Sequence, residues 1–316
     1  MEATREPIPN VYVDLRELAA LKHAGQSFAF VPRQPVTSLL SGRRASRLRG
    51  RGLSFEEMRL YQPGDDPRTI DWKATARTRE THVRVYTEER ERPALLVVDQ
   101  RLSMFFGSRG ALKSVVAARA AALSAWRVVG VGDRVGAIVF DDMESVDHKP
   151  RRSDRNVLRI LGTLTEFNHR LSADVGAATN PRALNDALAR ARRFATHDYL
   201  VVIISDFEGA DPTTRKLVTE LRRHNDVMAI RVWDRLETEL PDLGRVIVSD
   251  GDKQIDADTS DASLRSRYHG HHQSVVERMD HLALRYDVPS MTLWTDRDVL
   301  LQIRDRLGRA PRTKRG

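Results

Sequence analysis

Asp99, Arg101 and Ser103 stand two residues apart directly after an unbroken apolar run, Ala94 to Val98, and Asp206 follows a second run, Tyr199 to Ile204. Thr179, just ahead of Asn180 and Pro181, adds a hydroxyl from a third place in the chain. Carboxylates, hydroxyls and waters are hard oxygen donors, the set that Mg²⁺ prefers. The competing reading is that Asp99 and Asp206 only cap loops and helix starts, a common use of aspartate.

Other chemistries find less support. Gly130-Val131-Gly132 precedes a strand instead of leading from one into a helix, and no Gly-Lys-Ser or Gly-Lys-Thr loop is present, so dinucleotide and nucleoside triphosphate cradles are not expected. His269, His271 and His272 have no acidic or cysteine partner at ligand spacing and read as a polar linker; no metal ligands are assigned. The chain has no cysteine, which removes disulfides, thiolate sites and cysteine nucleophiles and fits a reducing cytosol.

The elements that must position these residues follow from the apolar pattern. A run without alternation reads as a strand buried on both faces of a parallel sheet, and its carboxyl end is where open α/β folds form their crevice. If the strands ending at Asp99 and Asp206 are neighbours, the two carboxylates emerge about 5 Å apart. From Pro93 onward strands alternate with helices: 134–140, 199–204, 227–233, 245–249 and 290–294 read as strands. Helices are expected from a cap at Ser108 through Trp126, over 154–164, from Asn180 and Pro181 through Leu188, from Asp211, over 274–286 and over 297–307. This alternation indicates βαβ units, right-handed crossovers and a doubly wound, mainly parallel sheet flanked by helices.

Upstream the pattern changes. Asp14 and Glu17 form a capping-box spacing for a helix to about Ala24, with Val13 and Leu18 as a staple. Arg43, Arg44, Arg47, Arg49 and Arg51 follow with no acid among them, either a grip for phosphates or an acidic partner, or a solvated loop. Pro63-Gly64-Asp65-Asp66-Pro67 is a turn, and Val83 and Val85 alternate with Arg84 and Tyr86 like a half-exposed strand. The expected division is an N-terminal module of helix and β structure over 1–92, the α/β domain over 93–308 and a basic disordered tail over 309–316. Asp65, Asp71 and Arg77 are expected to brace the module on the sheet, and the 63–72 segment with the basic loop to form a docking surface.

The chain of 316 residues carries a net charge of +8, with 52 basic and 44 acidic residues, so its basicity is a modest bias on a highly charged surface. The first residues lack an apolar signal core, and no apolar run approaches the ~20 residues that span a bilayer. Cytoplasmic location is the expectation.

The sheet pattern and Asp99-x-Arg101-x-Ser103 resemble the von Willebrand factor A fold, whose metal-ion-dependent adhesion site (MIDAS) uses Asp-x-Ser-x-Ser after the first strand, then a Thr and an Asp on later loops. Gly50 to Phe55, Arg59-Leu60-Tyr61-Gln62-Pro63-Gly64-Asp65-Asp66, Arg68-Thr69-Ile70-Asp71-Trp72 and Ala76-Arg77 resemble the signature of the bacterial DUF58 family. The resemblance covers nearly the whole chain. It implies association with MoxR-type AAA+ ATPases and a non-enzymatic adaptor or chaperone-like role toward client proteins. It places Asp99 and Ser103 on the first adhesion motif, Thr179 on the second and Asp206 on the third.

Arg101 departs from that pattern. Arginine is always charged and has no acceptor, so it cannot ligate a cation. Either it swings outward and leaves room for Mg²⁺, or it substitutes for the ion and no cofactor is needed. Two other function classes remain: a nucleic-acid binder using the 43–51 arginines, or a metal-dependent hydrolase, for which no histidine falls in the crevice loops.

Overall fold

The structure, a computed structural model, describes residues 10–28, 53–63, 65–88, 92–172, 179–238, 240–249, 254–268 and 288–308. The chain divides into two compact units, residues 1–33 with 92–316, and residues 34–91.

The larger unit is a mixed α/β structure around a six-stranded sheet. Its strands are β3 (Ala94–Asp99), β4 (Val135–Phe140), β5 (Ser145–Arg151), β6 (Leu200–Ser205), β7 (Asp226–Trp233) and β10 (Ser290–Trp294), in the order β10-β7-β6-β3-β4-β5. Every pairing is parallel except β4 with β5, which is antiparallel. β3 and β6 are direct neighbours, with Val98 beside Ile204. The chain winds from β3 to β4 on one side and reaches β6, β7 and β10 on the other, so the order reverses at the β3–β6 seam. Such a reversal opens a crevice at the carboxyl ends of the strands, and Asp99 and Asp206 stand there.

One face of the sheet carries α4 (Lys113–Gly130), α5 (Asp154–Arg170) and α10 (Val299–Leu307), and the other α6 (Ala183–Phe194) and α7 (Pro212–Arg222). Fourteen of the eighteen residues of α4 are buried. It is a helix apolar nearly all round, which is how a helix covered on both sides reads. Its outer cover includes α1 (Leu15–Ala20) and α2 (Lys22–Gly25). Trp126 Nε1 donates to the Leu18 carbonyl at 3.1 Å, and Gly25 lets α2 lie directly on α4. The helix expected inside a 1–92 module therefore packs with the sheet domain.

Several local expectations are corrected. Asp14 caps α1 through the Arg16 N–H, but Glu17 turns away to accept from Arg119 Nε at 2.5 Å, and the helix is interrupted at Leu21. Ser108 does not cap α4, because its N–H and Oγ both donate to Asp234, and the helix starts at Lys113. Asn180 and Pro181 lie ahead of α6, where Asn180 Oδ1 accepts from the Arg182 N–H. α5 runs past Leu164 to Arg170, and edge strand β5 was not anticipated. The 274–286 helix and the 309–316 tail lie outside the described residues.

After β7 come α8 (Arg235–Thr238), a two-stranded hairpin of β8 (Arg245–Ser249) and β9 (Gln254–Asp258), and helical residues 262–268 (α9) before the chain rejoins the sheet at β10. The smaller unit is an antiparallel pair, β1 (Leu53–Leu60) with β2 (His82–Glu88), bulged between Phe55 and Glu57, and α3 (Trp72–Thr78). Asp71 caps α3 by accepting from the Lys73 and Ala74 N–H groups, and Arg79 ends it in the left-handed region at φ 62°.

A methyl group at Gly25 would lie 2.9 Å from Trp126 Cβ and 3.0 Å from the Leu123 carbonyl oxygen. Gly25→Ala should therefore cost about 1–3 kcal/mol in urea unfolding; an unchanged midpoint would show that α2 is not tightly seated on α4.

Candidate functional site

At the carboxyl end of β3 the Asp99 side chain is wholly buried, and Arg101, only two residues on, folds back over it. The guanidinium Nε donates to both carboxylate oxygens at 3.0 and 3.1 Å and Nη2 to Oδ2 at 2.7 Å, while the backbone N–H of Arg101 holds Oδ1 at 2.9 Å. The same Nη2 lies 3.5 Å from Asp206 Oδ1, and Nη1 donates to the Glu208 carbonyl at 3.2 Å. Ser205 Oγ donates to Asp99 Oδ2 at 2.6 Å. Of the two courses open to it, the arginine takes the inward one, between the carboxylates of adjacent strands.

A second cation completes the cluster. Lys113, first residue of α4, is 2 % exposed and donates to Asp206 Oδ2 at 2.8 Å and to Glu237 Oε1 of α8 at 2.5 Å. Three carboxylates thus share two cations, and burial and pairing act on them unequally. Burial pushes Asp99 up despite Arg101, and burial likewise raises Glu237 against the pull of Lys113. For Asp206 burial also works upward, yet Lys113 and Arg101 together overcome it and bring the carboxyl down to about 2. Both cations are held more firmly charged than usual: burial opposes this, but the carboxylates outweigh it.

Hydrogen bonds fix the loops around this centre. Asp142, after β4, accepts from the Leu102 N–H at 2.6 Å and from the Asn180 N–H at 2.8 Å, stapling the loop after β3 to the segment ahead of α6. Asp234, after β7, accepts from the Ser108 N–H and Oγ, from Thr295 Oγ1 and from the Leu236 N–H. Gln100 is fully buried: its Nε2 donates to the Ser114 carbonyl, and its Oε1 accepts from Asn168, whose own Oδ1 receives the Val13 N–H at 2.8 Å.

Of the expected residues, Asp99, Arg101 and Asp206 come together. Ser103 has its Oγ buried with no hydrogen-bond partner among the described residues. Thr179 is exposed and does not join the cluster; its neighbour Asn180 makes the contact to Asp142. Lys113 and Glu237 were missed. A lysine opening a helix, where the dipole disfavours a cation, was a signal of a nearby acid. Asp234-Arg235-Leu236-Glu237 was another, since Glu237 Oε2 accepts from the Asp234 N–H at 2.9 Å in capping-box fashion.

In the smaller unit Asp65 is held by Arg59, at 2.7 and 2.8 Å, and by the Gln62 N–H. Asp71 caps α3, and Arg77 is exposed. Pro63 and Arg68 are exposed, as are Tyr61 and, at 69 %, Trp72. Gly64, the arginines at 43–51 and His269, His271 and His272 lie outside the described residues.

Arg101→Met should destabilise the fold by about 3–5 kcal/mol in denaturant unfolding, because it leaves Asp99 buried without its cation. A loss under 1 kcal/mol would mean that the pair is not closed in solution. Asp206 adds a pH signature: with its native pKa depressed, its stabilisation is complete above the unfolded value of 3.8 and is lost as pH falls toward 2. The stability gap between wild type and Asp206→Asn should therefore shrink from pH 5 to pH 2; a constant gap would contradict the charge pairing.

The relationship is shown by a family profile and a long alignment. The profile of the family described as "Protein of unknown function DUF58" matches residues 57–278. "Uncharacterized protein Rv1480" of Mycobacterium tuberculosis (strain ATCC 25618 / H37Rv) is 34 % identical over 300 residues, 92 % of this chain and 89 % of the relative. "Uncharacterized protein MAV169" of Mycobacterium avium is 32 % identical over 157 residues, 48 % of this chain and 85 % of the relative. Among solved structures, the conserved hypothetical protein BatB from Bacteroides thetaiotaomicron aligns over 64 % of this chain and 90 % of its own, with 13 % identity and a TM-score of 0.37. By the family match and the length of the mycobacterial alignment, this chain belongs to the DUF58 family.

Proposed function

We propose that the protein is a non-enzymatic interaction protein with a von Willebrand factor A-type sheet domain, working with a MoxR-type AAA+ ATPase on client proteins, and that its adhesion site is degenerate, with Arg101 in the place of the metal. The observation that carries the reading is the guanidinium between Asp99 and Asp206. A divalent ion does not fit this donor set. Both oxygens of Asp99 are engaged by Arg101, Asp206 by Lys113, and a fixed positive charge lies within 2.7 Å of the first carboxylate. An enzyme reading would need a free base at the crevice, and the cluster's carboxylates are bound to cations. The exposed Tyr61 and Trp72, on the family's signature segment, suit protein contact.

Calorimetric titration of the wild type with Mg²⁺ and Mn²⁺ should give no micromolar binding, whereas Arg101→Ser, which restores Asp-x-Ser-x-Ser, should gain stability only when Mg²⁺ is added. Micromolar binding by the wild type would restore a working metal site. Capture of the tagged chain from its native cell with ATP present should recover an AAA+ ATPase. Recovery without one would remove the partner assignment, and ATP turnover by the purified chain, abolished by Asp99→Ala, would overturn the non-enzyme reading.

A further inference from the structure

The two crevice cations are not equivalent. Arg101 spends its Nε, Nη1 and Nη2 on Asp99, Asp206 and the Glu208 carbonyl, and its side chain is 5 % exposed. Lys113 is as deeply placed, at 2 %, but its two carboxylates differ. Asp206 is 3 % exposed and fixed from behind by the Glu208 N–H. Glu237 is 26 % exposed and hangs from α8, a single four-residue turn. α8, β8, β9 and α9 lie in the chain between sheet strands β7 and β10, and β8 and β9 pair with each other as a separate two-stranded sheet. Among the described residues of the cluster, Glu237 is thus the ligand that reaches solvent and comes from outside the sheet and its covering helices.

We propose that Lys113 is a carboxylate-binding site for a partner protein, and that Glu237 fills it in cis. An incoming carboxylate replaces one oxyanion on the ammonium by another, so the exchange conserves the charge pairing of Lys113 and leaves no buried cation unpaired, at the loss of the Asp234 N–H bond to Glu237 Oε2. Asp206 stays in place throughout and keeps Lys113 charged. Displaced, Glu237 gives up Lys113 while Asp206 keeps it. The proposal rests on the reading of the crevice as a protein-contact site and adds the chemistry of what it contacts.

The test empties the site. Glu237→Ala removes the atoms that acetate would replace, so sodium acetate should raise the melting temperature of this variant saturably, by about 2–4 °C at ten times its dissociation constant. Sodium chloride and neutral acetamide should not. The wild type should respond to none of them, because a tethered carboxylate acts at an effective concentration of millimolar or more. Acetyl-Ala-Glu-Ala-amide and acetyl-Ala-Ala with a free carboxyl terminus then distinguish an acidic side chain from a chain terminus, with acetyl-Ala-Gln-Ala-amide as the neutral control. Should Glu237→Ala not fold, Glu237→Gln keeps the shape with a neutral ligand, and the Glu peptide should shift it at a concentration that leaves the wild type unmoved. Equal responses to acetate and acetamide, or no carboxylate response in either variant, overturn the site. The titration needs no partner, so its failure is distinct from failure to find an AAA+ ATPase.

Discussion

The structure depends on a guanidinium buried between two carboxylates at the ends of adjacent parallel strands. A charge taken out of water is costly unless it is paired and hydrogen-bonded, and β3 and β6 each deliver one into the same crevice. Neither strand could end in a buried aspartate beside the other without a cation between them. Arg101 supplies it from two residues along the chain, in a fork that engages both oxygens of Asp99. Lys113 supplies the second from the start of α4, a position the helix dipole disfavours, and Asp206 and Glu237 outweigh that penalty. Burial is why Asp99 and Glu237 bind protons more readily than they would in water, even with Arg101 and Lys113 pulling the other way.

The centre is also tied outward. Gln100, between Asp99 and Arg101, reaches α4 through the Ser114 carbonyl and α5 through Asn168, and Asn168 in turn holds the backbone of Val13. The N-terminal segment is therefore linked by buried amide groups to the residue between the two charged ones. Tyr12 donates to the Leu171 carbonyl, and His169 contacts the Val13 carbonyl, so the same segment is held against the end of α5. Asp142 and Asp234 do for the loops after β4 and β7 what Arg101 does for the strand ends, each anchoring backbone from a distant part of the sequence. The carboxyl edge of the sheet is preassembled by the chain's own charges.

The smaller unit is built on a different plan. Its strand pair and short helix are organised by local devices, the Arg59–Asp65 fork, the Asp71 cap and the left-handed Arg79. Much of the family's signature is spent on these turns and caps, and it leaves Trp72 and Tyr61 at the surface.

Local sequence determined the parallel strands of the sheet, but not its antiparallel edge β5. Apolar runs end at Asp99 and Asp206 because both faces of a parallel strand are covered, and the cap at Asp211 and the strand at 245–249 are legible because each depends on residues within a few positions. Arg101 was legible as an anomaly, two residues from the carboxylate it binds. What tertiary structure alone decided are the partners: Lys113 meets Asp206 and Glu237 across 93 and 124 residues, and Ser108 is drawn from its expected cap to Asp234 across 126. Propensity and periodicity describe the free energy of a segment by itself. Which charge neutralises which is set by the winding order of the strands, which brings residues distant in the chain into the same water-excluded crevice.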